Sequence, residues 1–257
     1  MSAYKKYFTV SYDDGLEQDK KIIQLMKKYG IKGTFNLNSS LFGVSQNIQY
    51  FWKLGYKEVP KDFIRNGRFI KTVNHDRIPE DEISQVYEGF EIASHGAHHK
   101  NETRISVEEL KSEIGQDQKV LSNFSTIPVV GHVLPFGMGN KRVYEVLRQE
   151  KIQYVRKVSF KSAPREKRFM FPEDGFTIEP TCWQMDKNIF KLLEEFKKAE
   201  PTDRNMLFYM WGHGYELDFD LRGYDWERLE RIFQYVSDCD DIICCTNAEA
   251  MTHNFHN

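Results

Sequence analysis

Two carboxylates and two imidazoles in this chain have the types and spacing of a metal-dependent hydrolase. Asp13 and Asp14 stand side by side at the end of the apolar run Tyr7 to Tyr12, with Gly15 directly after them. His95 and His99 stand four positions apart at the end of a second run, Phe90 to Ser94. Two imidazoles and one carboxylate suit a divalent cation, and a carboxylate left off the cation can take a proton from water. Each fragment alone is common, since Asp-Asp-Gly is also a turn sequence and paired His arises by chance. It is their joint placement at strand ends that carries the reading. Neighbouring side chains on a strand face opposite ways, so both aspartates reach one site only if the chain turns there, as Gly15 permits. A helical turn after Ser94 would put His95 and His99 on one side and send His98 elsewhere.

The elements that must hold these residues alternate along the whole chain. Strand patterns run over Tyr7–Tyr12, Ile31–Leu37, Phe90–Ser94, Val129–Leu134, Ile152–Val155, Phe176–Glu179, Leu207–Trp211 and Ile242–Thr246. Between them lie helical patterns at Lys20–Tyr29, Glu80–Tyr87, Ser106–Phe124, Lys141–Gln149, Lys187–Lys198 and Trp226–Val236. Ser106 with Glu109 forms a capping-box pair, and Gly30 sits where a glycine ends a helix. Repeated βα units imply a parallel sheet, and about seven or eight of them a barrel, whose functional groups sit at the C-terminal strand ends. Asp13, Asp14, His95, Pro135 and His213 all fall there. The stretch Leu41 to His75 breaks the rhythm and reads as an insertion over the same rim, at about 41–75 of a single domain spanning 1–257.

Composition narrows the class further. Thirty-six basic and 38 acidic residues give a net charge of −2 in 257 residues, which offers no surface for a polyanion and argues against nucleic acid. A chain this long buries roughly 70–75% of its unfolded surface, so folding requires no disulfide. The four cysteines, Cys182, Cys239, Cys244 and Cys245, form no CxxC pair and read as reduced core thiols. Met1 to Lys6 leads straight into a strand pattern without the apolar core of a signal peptide, and no stretch approaches a membrane span. The expectation is a cytoplasmic protein without a membrane partner.

With these residues in view, the chain resembles the polysaccharide deacetylases, carbohydrate esterase family four, over nearly its whole length. Tyr12 to Gly15 matches the family's aromatic-Asp-Asp-Gly motif, His95 to His99 its histidine motif, Pro135-Phe136-Gly137 its Pro-aromatic-Gly motif, and Trp211-Gly212-His213 its Leu-x-His motif. Gly30 to Phe35 resembles its second strand, and Trp211 to Glu216 a Trp-Gly-His-x-Tyr-Glu subgroup. The resemblance implies an α/β fold, a distorted (β/α)7 barrel. It implies Asp13 as general base, Asp14, His95 and His99 as metal ligands, Phe136 as a backbone oxyanion donor and His213 as general acid. The implied cofactor is a divalent metal, by default zinc, with cobalt, nickel or manganese also suited to such a ligand set. Removal of N-acetyl groups from an acetylated sugar is the implied activity.

Several positions depart from the family pattern. Gly96 replaces the usual Ser or Thr that braces the histidine loop, so ligand orientation must come from elsewhere. Val133 stands where many members carry an Arg against the catalytic Asp, and Arg156 at the next strand end is the candidate replacement. Cys182 precedes Trp183 where the family has Asp, which leaves Asp186, or Glu179, to orient the acid His. Trp211 occupies the Leu position beside the acetyl pocket, and Trp183, Trp211 and Tyr215 are candidates for stacking on a sugar ring. These departures keep open hydrolysis of another non-peptide C–N bond in a small amide. A catalytically inactive carbohydrate-binding relative is the third reading, against which stands the retention of both Asp13 and His213.

Overall fold

The computed structural model describes residues 4–48, 64–65, 68–69, 71–158, 168–220 and 223–252. Strand β1 (Lys6–Asp13) is buried along its entire length, as a strand covered on both faces of a parallel sheet must be. The rest of the sheet comprises β2 (Thr34–Leu37), β3 (Glu91–Ser94), β4 (Gly131–Val133), β5 (Tyr154–Arg156), β6 (Thr177–Ile178), β7 (Cys182–Trp183), β8 (Met206–Gly212) and β9 (Ile242–Cys244). Their spatial order is β6-β5-β4-β3-β2-β1-β8-β7, with β9 also on β1. Lys6 to Phe8 pair with β9 and Ser11 to Asp13 with β2, so two strands share one edge of β1 in succession. All these pairings are parallel, and the sheet curls as the distorted barrel expected from sequence. Among the described residues no pairing joins β6 to β7, which leaves a half-barrel. The two-residue strand β7 has no period for a sequence to show, and its stretch reads as loop.

Helices α1 (Asp19–Tyr29), α2 (Val107–Leu121), α3 (Lys141–Gln149), α4 (Ile189–Lys198) and α5 (Trp226–Ser237) cover the outside. Their ends follow side-chain chemistry. Ser106 Oγ accepts from Glu109 N at 3.1 Å, and Asn140 and Asp225 cap α3 and α5 in the same way. Gly30 closes α1 in the left-handed region. Phe8, Phe169, Phe196 and Phe208 pack together between the sheet and α4, and burying each such ring contributes about 1.5–3 kcal/mol. The four cysteines are free thiols, three of them buried. No helix among the described residues is long and apolar enough to cross a membrane.

Of the expected insertion, Asn47–Ile48 pairs antiparallel with Val73–Asn74, and Ile64–Arg65 with Arg68–Phe69. Its aromatics Tyr50, Phe51, Trp52 and Tyr56 lie outside the described residues.

Candidate active site

The strand ends of β1, β3, β5 and β8 converge on one buried cluster. The chain turns after Asp13 because Asp14 and Gly15 both adopt left-handed conformations, at φ 81° and 67°. That turn swings Asp14 toward the histidines while Asp13 stays on the strand. Asp14 Oδ1 lies 3.9 Å from His95 Nε2 and 3.7 Å from His99 Nε2. The ligand atoms of these three residues lie within 4.8 Å of one another. Asp14 Oδ1 is moreover buried without a hydrogen-bond partner, a costly state that a cation would relieve. Asp13 belongs to a second set. Its Oδ1 accepts from Asn36 Nδ2 at 2.7 Å, Arg156 Nη2 donates to Oδ2, and His213 Nε2 lies 3.8 Å from that same oxygen.

Burial and charge set the ionisation states. Burial works against the charge of Asp13, but Arg156, then His95 and His213, outweigh it and hold the carboxyl below its usual range. Burial also opposes the charge of Asp14. The hydrogen bond from His75 and the fields of His99, His213 and His95 pull it well below normal. Desolvation drives His95 down to about 3 and lowers His99 as well. Ionised carboxylate with neutral imidazoles is the state in which these groups bind a cation.

His213 is held the opposite way. Burial penalises its charge, yet Glu216 and then Asp13 raise it to about 9. Glu216 Oε1 takes His213 Nδ1 at 2.8 Å, and its other oxygen accepts from Trp183 Nε1 at 2.8 Å and Gln184 Nε2 at 2.7 Å. The imidazolium therefore points its Nε2 at the site. Replacing Glu216 by Gln is expected to lower the alkaline limb of a kcat/KM–pH profile by about one unit or more; superimposable profiles would contradict this coupling. Stability carries the same signature. The folded value lies above the unfolded 6.5, so the stabilisation is complete below pH 6.5 and fades as pH rises through 9. At 1.36 kcal/mol per unit, wild type should lose roughly 3 kcal/mol over that window in urea titrations, and the variant clearly less.

The missing loop brace has a replacement. Gly96 sits at φ 72°, where a Ser or Thr would be strained whatever the space around it. Ser94 serves instead, donating to Asp117 Oδ2 at 2.6 Å and accepting from Gly96 N at 3.3 Å. Asp117 also accepts from His95 N at 3.2 Å, while Asn38 Nδ2 donates to the carbonyls of His95 and Gly96 at 2.7 and 2.8 Å. Ser94 Oγ further meets His132 Nδ1 at 3.0 Å, and His132 Nε2 lies 2.9 Å from Glu102, both of them fully buried. The ring of His95 is fixed through Nδ1, 2.8 Å from Val133 O, which leaves Nε2 toward the cation position.

Known proteins share the family pattern and the fold of this chain. The polysaccharide deacetylase family model matches residues 2–155, more than half of the chain's 257 residues. The chain belongs to the polysaccharide deacetylase family. A family 4 carbohydrate esterase from Streptomyces lividans, solved with acetate, aligns at TM-score 0.54 and 12% identity over 96% of this chain and 94% of that one. The peptidoglycan deacetylase PdaC from Bacillus subtilis aligns at 0.52 and 16% identity, over 96% and 90%. BA3943, a pseudoenzyme of the same esterase family from Bacillus anthracis, aligns at 0.55 and 13%, over 96% and 66%. At such identities the likeness is one of fold. No curated protein matches the chain.

Against the family motifs, the structure sorts the remaining sequence expectations. Arg156, fully buried, reaches Asp13 from β5 and stacks its guanidinium 4.7 Å from the Trp211 ring centre. Phe136 is 63% exposed and left-handed, with its ring 4.6 Å from that of His99. Asp186 was the expected carboxylate for His213, but Glu216 holds that place. Asp186 accepts from Asn188 N at 2.8 Å and from Arg228 through its carbonyl, while Glu179 is exposed beside Lys157. Glu216 was legible, because a helical turn puts residues three apart on one side. Stacking of a sugar on Trp211 is corrected too. At 1% exposure its ring is covered by Arg156 and His213, so it packs beneath the site. Trp183 and Tyr215 are buried as well, at 8% and 3%. His98 turns away to Glu113, at 3.0 Å. Sequence reasoning singled out neither His75 nor Arg77, which lie 3.1 and 3.7 Å from the Asp14 oxygens. Nothing in their spacing marks them.

Proposed function

We propose that this family member is a metal-dependent hydrolase that removes the acetyl group from an N-acetylated sugar or oligosaccharide. One observation carries the reading: Asp13, outside the Asp14–His95–His99 cluster, holds its Oδ2 4.0 Å from His95 Nε2 and 3.8 Å from His213 Nε2. The three residues of the cluster fit a divalent cation, zinc by default, because their donor atoms converge, burial lowers both imidazoles, and Asp14 Oδ1 makes no hydrogen bond, with the Arg77 guanidinium 3.7 Å away. When bound, such a cation polarises the acyl oxygen and makes a coordinated water acidic near neutral pH.

The chain's own groups supply the remainder. Asp13 is the base: Arg156 and Asn36 fix both its oxygens and keep it ionised, so it accepts a proton without moving. His213 is the acid, kept charged by Glu216, and it protonates the departing amine, which cannot leave as an anion. The Phe136 N–H is assigned to the developing oxyanion. Acetate release from a panel of soluble N-acetylated amino sugars, with and without chelator, is the test. Chelator-sensitive release is expected, and a metal-loaded protein that frees no acetate from any of them would overturn the proposal. Trp211 at the end of β8, where the family carries Leu, favours a second reading, hydrolysis of another small amide, since its bulk lies beneath the Arg156 and His213 that face the site. Ammonia or amine release from non-sugar amides in the same assay would select it. Inactive binding, the third reading, leaves Asp13 and His213 without a task.

A further inference from the structure

We infer that His75 is a positioning residue for the cation site, locking Asp14 so that only Oδ1 faces the two imidazoles. The inference rests on Asp14, His95 and His99 being the ligands, as proposed above. The two oxygens of Asp14 are not equivalent. Oδ2 lies 3.1 Å from His75 Nε2, whereas Oδ1 faces His95 and His99 and has no hydrogen bond. An ionised carboxylate only accepts, so His75 Nε2 carries the proton of this bond. At Nδ1 the ring meets the Gln46 side-chain amide, whose Nε2 lies 2.9 Å away. Gln46, His75 and Asp14 thus form one hydrogen-bonded chain that holds the imidazole ring from both nitrogens.

Backbone pairing holds His75 in place on two sides. His75 N donates to Gln46 O at 2.8 Å and Arg77 N to Val44 O at 3.0 Å. Glu17 N donates to Asp76 O at 2.9 Å and Ile78 N to Gly15 O at 3.0 Å, which ties the segment to the residues just past Asp14. Tyr215 packs on the His75 ring, with centres 5.1 Å apart. His75 is not itself a ligand, because the cluster with mutually converging donor atoms among the described residues holds only Asp14, His95 and His99. Arg77 shows why a lock is needed. Its Nη2 lies 3.7 Å from Oδ1, and a carboxylate free to rotate would turn further onto that guanidinium and away from the imidazoles. The segment closing the irregular 41–75 stretch therefore completes the site.

The test uses the full chain and zinc or cobalt alone, titrated in competition with a chromophoric chelator. His75→Ala is expected to weaken zinc affinity about 10–100-fold and to alter the visible spectrum of bound cobalt. His75→Gln, whose amide can still donate to Oδ2, should recover most of the loss. A folded His75→Ala protein that binds zinc within about twofold of wild type would overturn the inference. So would a Gln variant no better than the Ala variant. Should His75→Ala fail to fold, Gln46→Leu on the exposed loop removes the partner of Nδ1; several-fold weaker zinc binding is expected, and wild-type affinity would overturn the inference. A wild-type chain that takes up no zinc would instead sink the ligand assignment itself.

Discussion

Asp13→Asn should lower acetate release about 10²–10⁴-fold, the range for loss of a positioned general base, while the protein still binds one equivalent of metal. The separation follows from geometry. Asp13 makes its bonds to Asn36 and Arg156, not to the Asp14–His95–His99 cluster, so neutralising it leaves all three donors in place. Asn at this position keeps an oxygen for Asn36 but leaves Arg156, fully buried, without its counter-charge. Breaking such a pair costs on the order of 3 kcal/mol, so circular dichroism and thermal melting should accompany the assay. Wild-type rates from a folded Asp13→Asn protein would remove Asp13 from the base role. Near-zero rates with lost metal would show that the residue binds rather than abstracts.

Exhaustive chelation should take turnover to background, with recovery on adding zinc or cobalt. His99→Ala should weaken metal binding by more than the roughly 10–100-fold typical of residues that only orient a ligand. Of the three donors His99 is the most accessible, at 23% side-chain exposure against 3% for His95 and 8% for Asp14, so its loss disturbs the buried framework least. Burial lowers both rings, His95 to about 3, and protons should therefore compete weakly with the cation at neutral pH. Unchanged acetate release from a protein stripped to trace metal would end the metal-dependent reading.

Much of this arrangement was legible before any coordinates. Alternating strand and helix patterns announced a parallel sheet, and motifs falling at C-terminal strand ends named Asp13, Asp14, His95, His99 and His213. Arg156 was legible as well, because an empty position at Val133 asked for a cation from a neighbouring strand end. Local chemistry placed the caps at Ser106 and Gly30 for the same reason that it places them anywhere: helix ends leave backbone groups unpaired. The two errors differ in kind, the first an overlooked local turn and the second a long-range contact. Asp186 follows Trp183 in sequence, yet the side chain that reaches His213 is Glu216, folded back by the short helix Tyr215–Asp218. Trp211 reads as a sugar platform until Arg156 is seen lying across its ring.

Residue types and spacing by themselves marked the candidate groups, Asp13, Asp14, His95, His99 and His213, and put them at strand ends on one rim. Only the tertiary structure decided how each is aimed. The His75 contact with Asp14, the Ser94–Asp117 brace under His95 and the covered face of Trp211 join residues 61, 23 and 55 positions apart. Period and motif describe neighbours along the chain, whereas a hydrogen bond depends on where separate strands and loops are brought together by burying the apolar core.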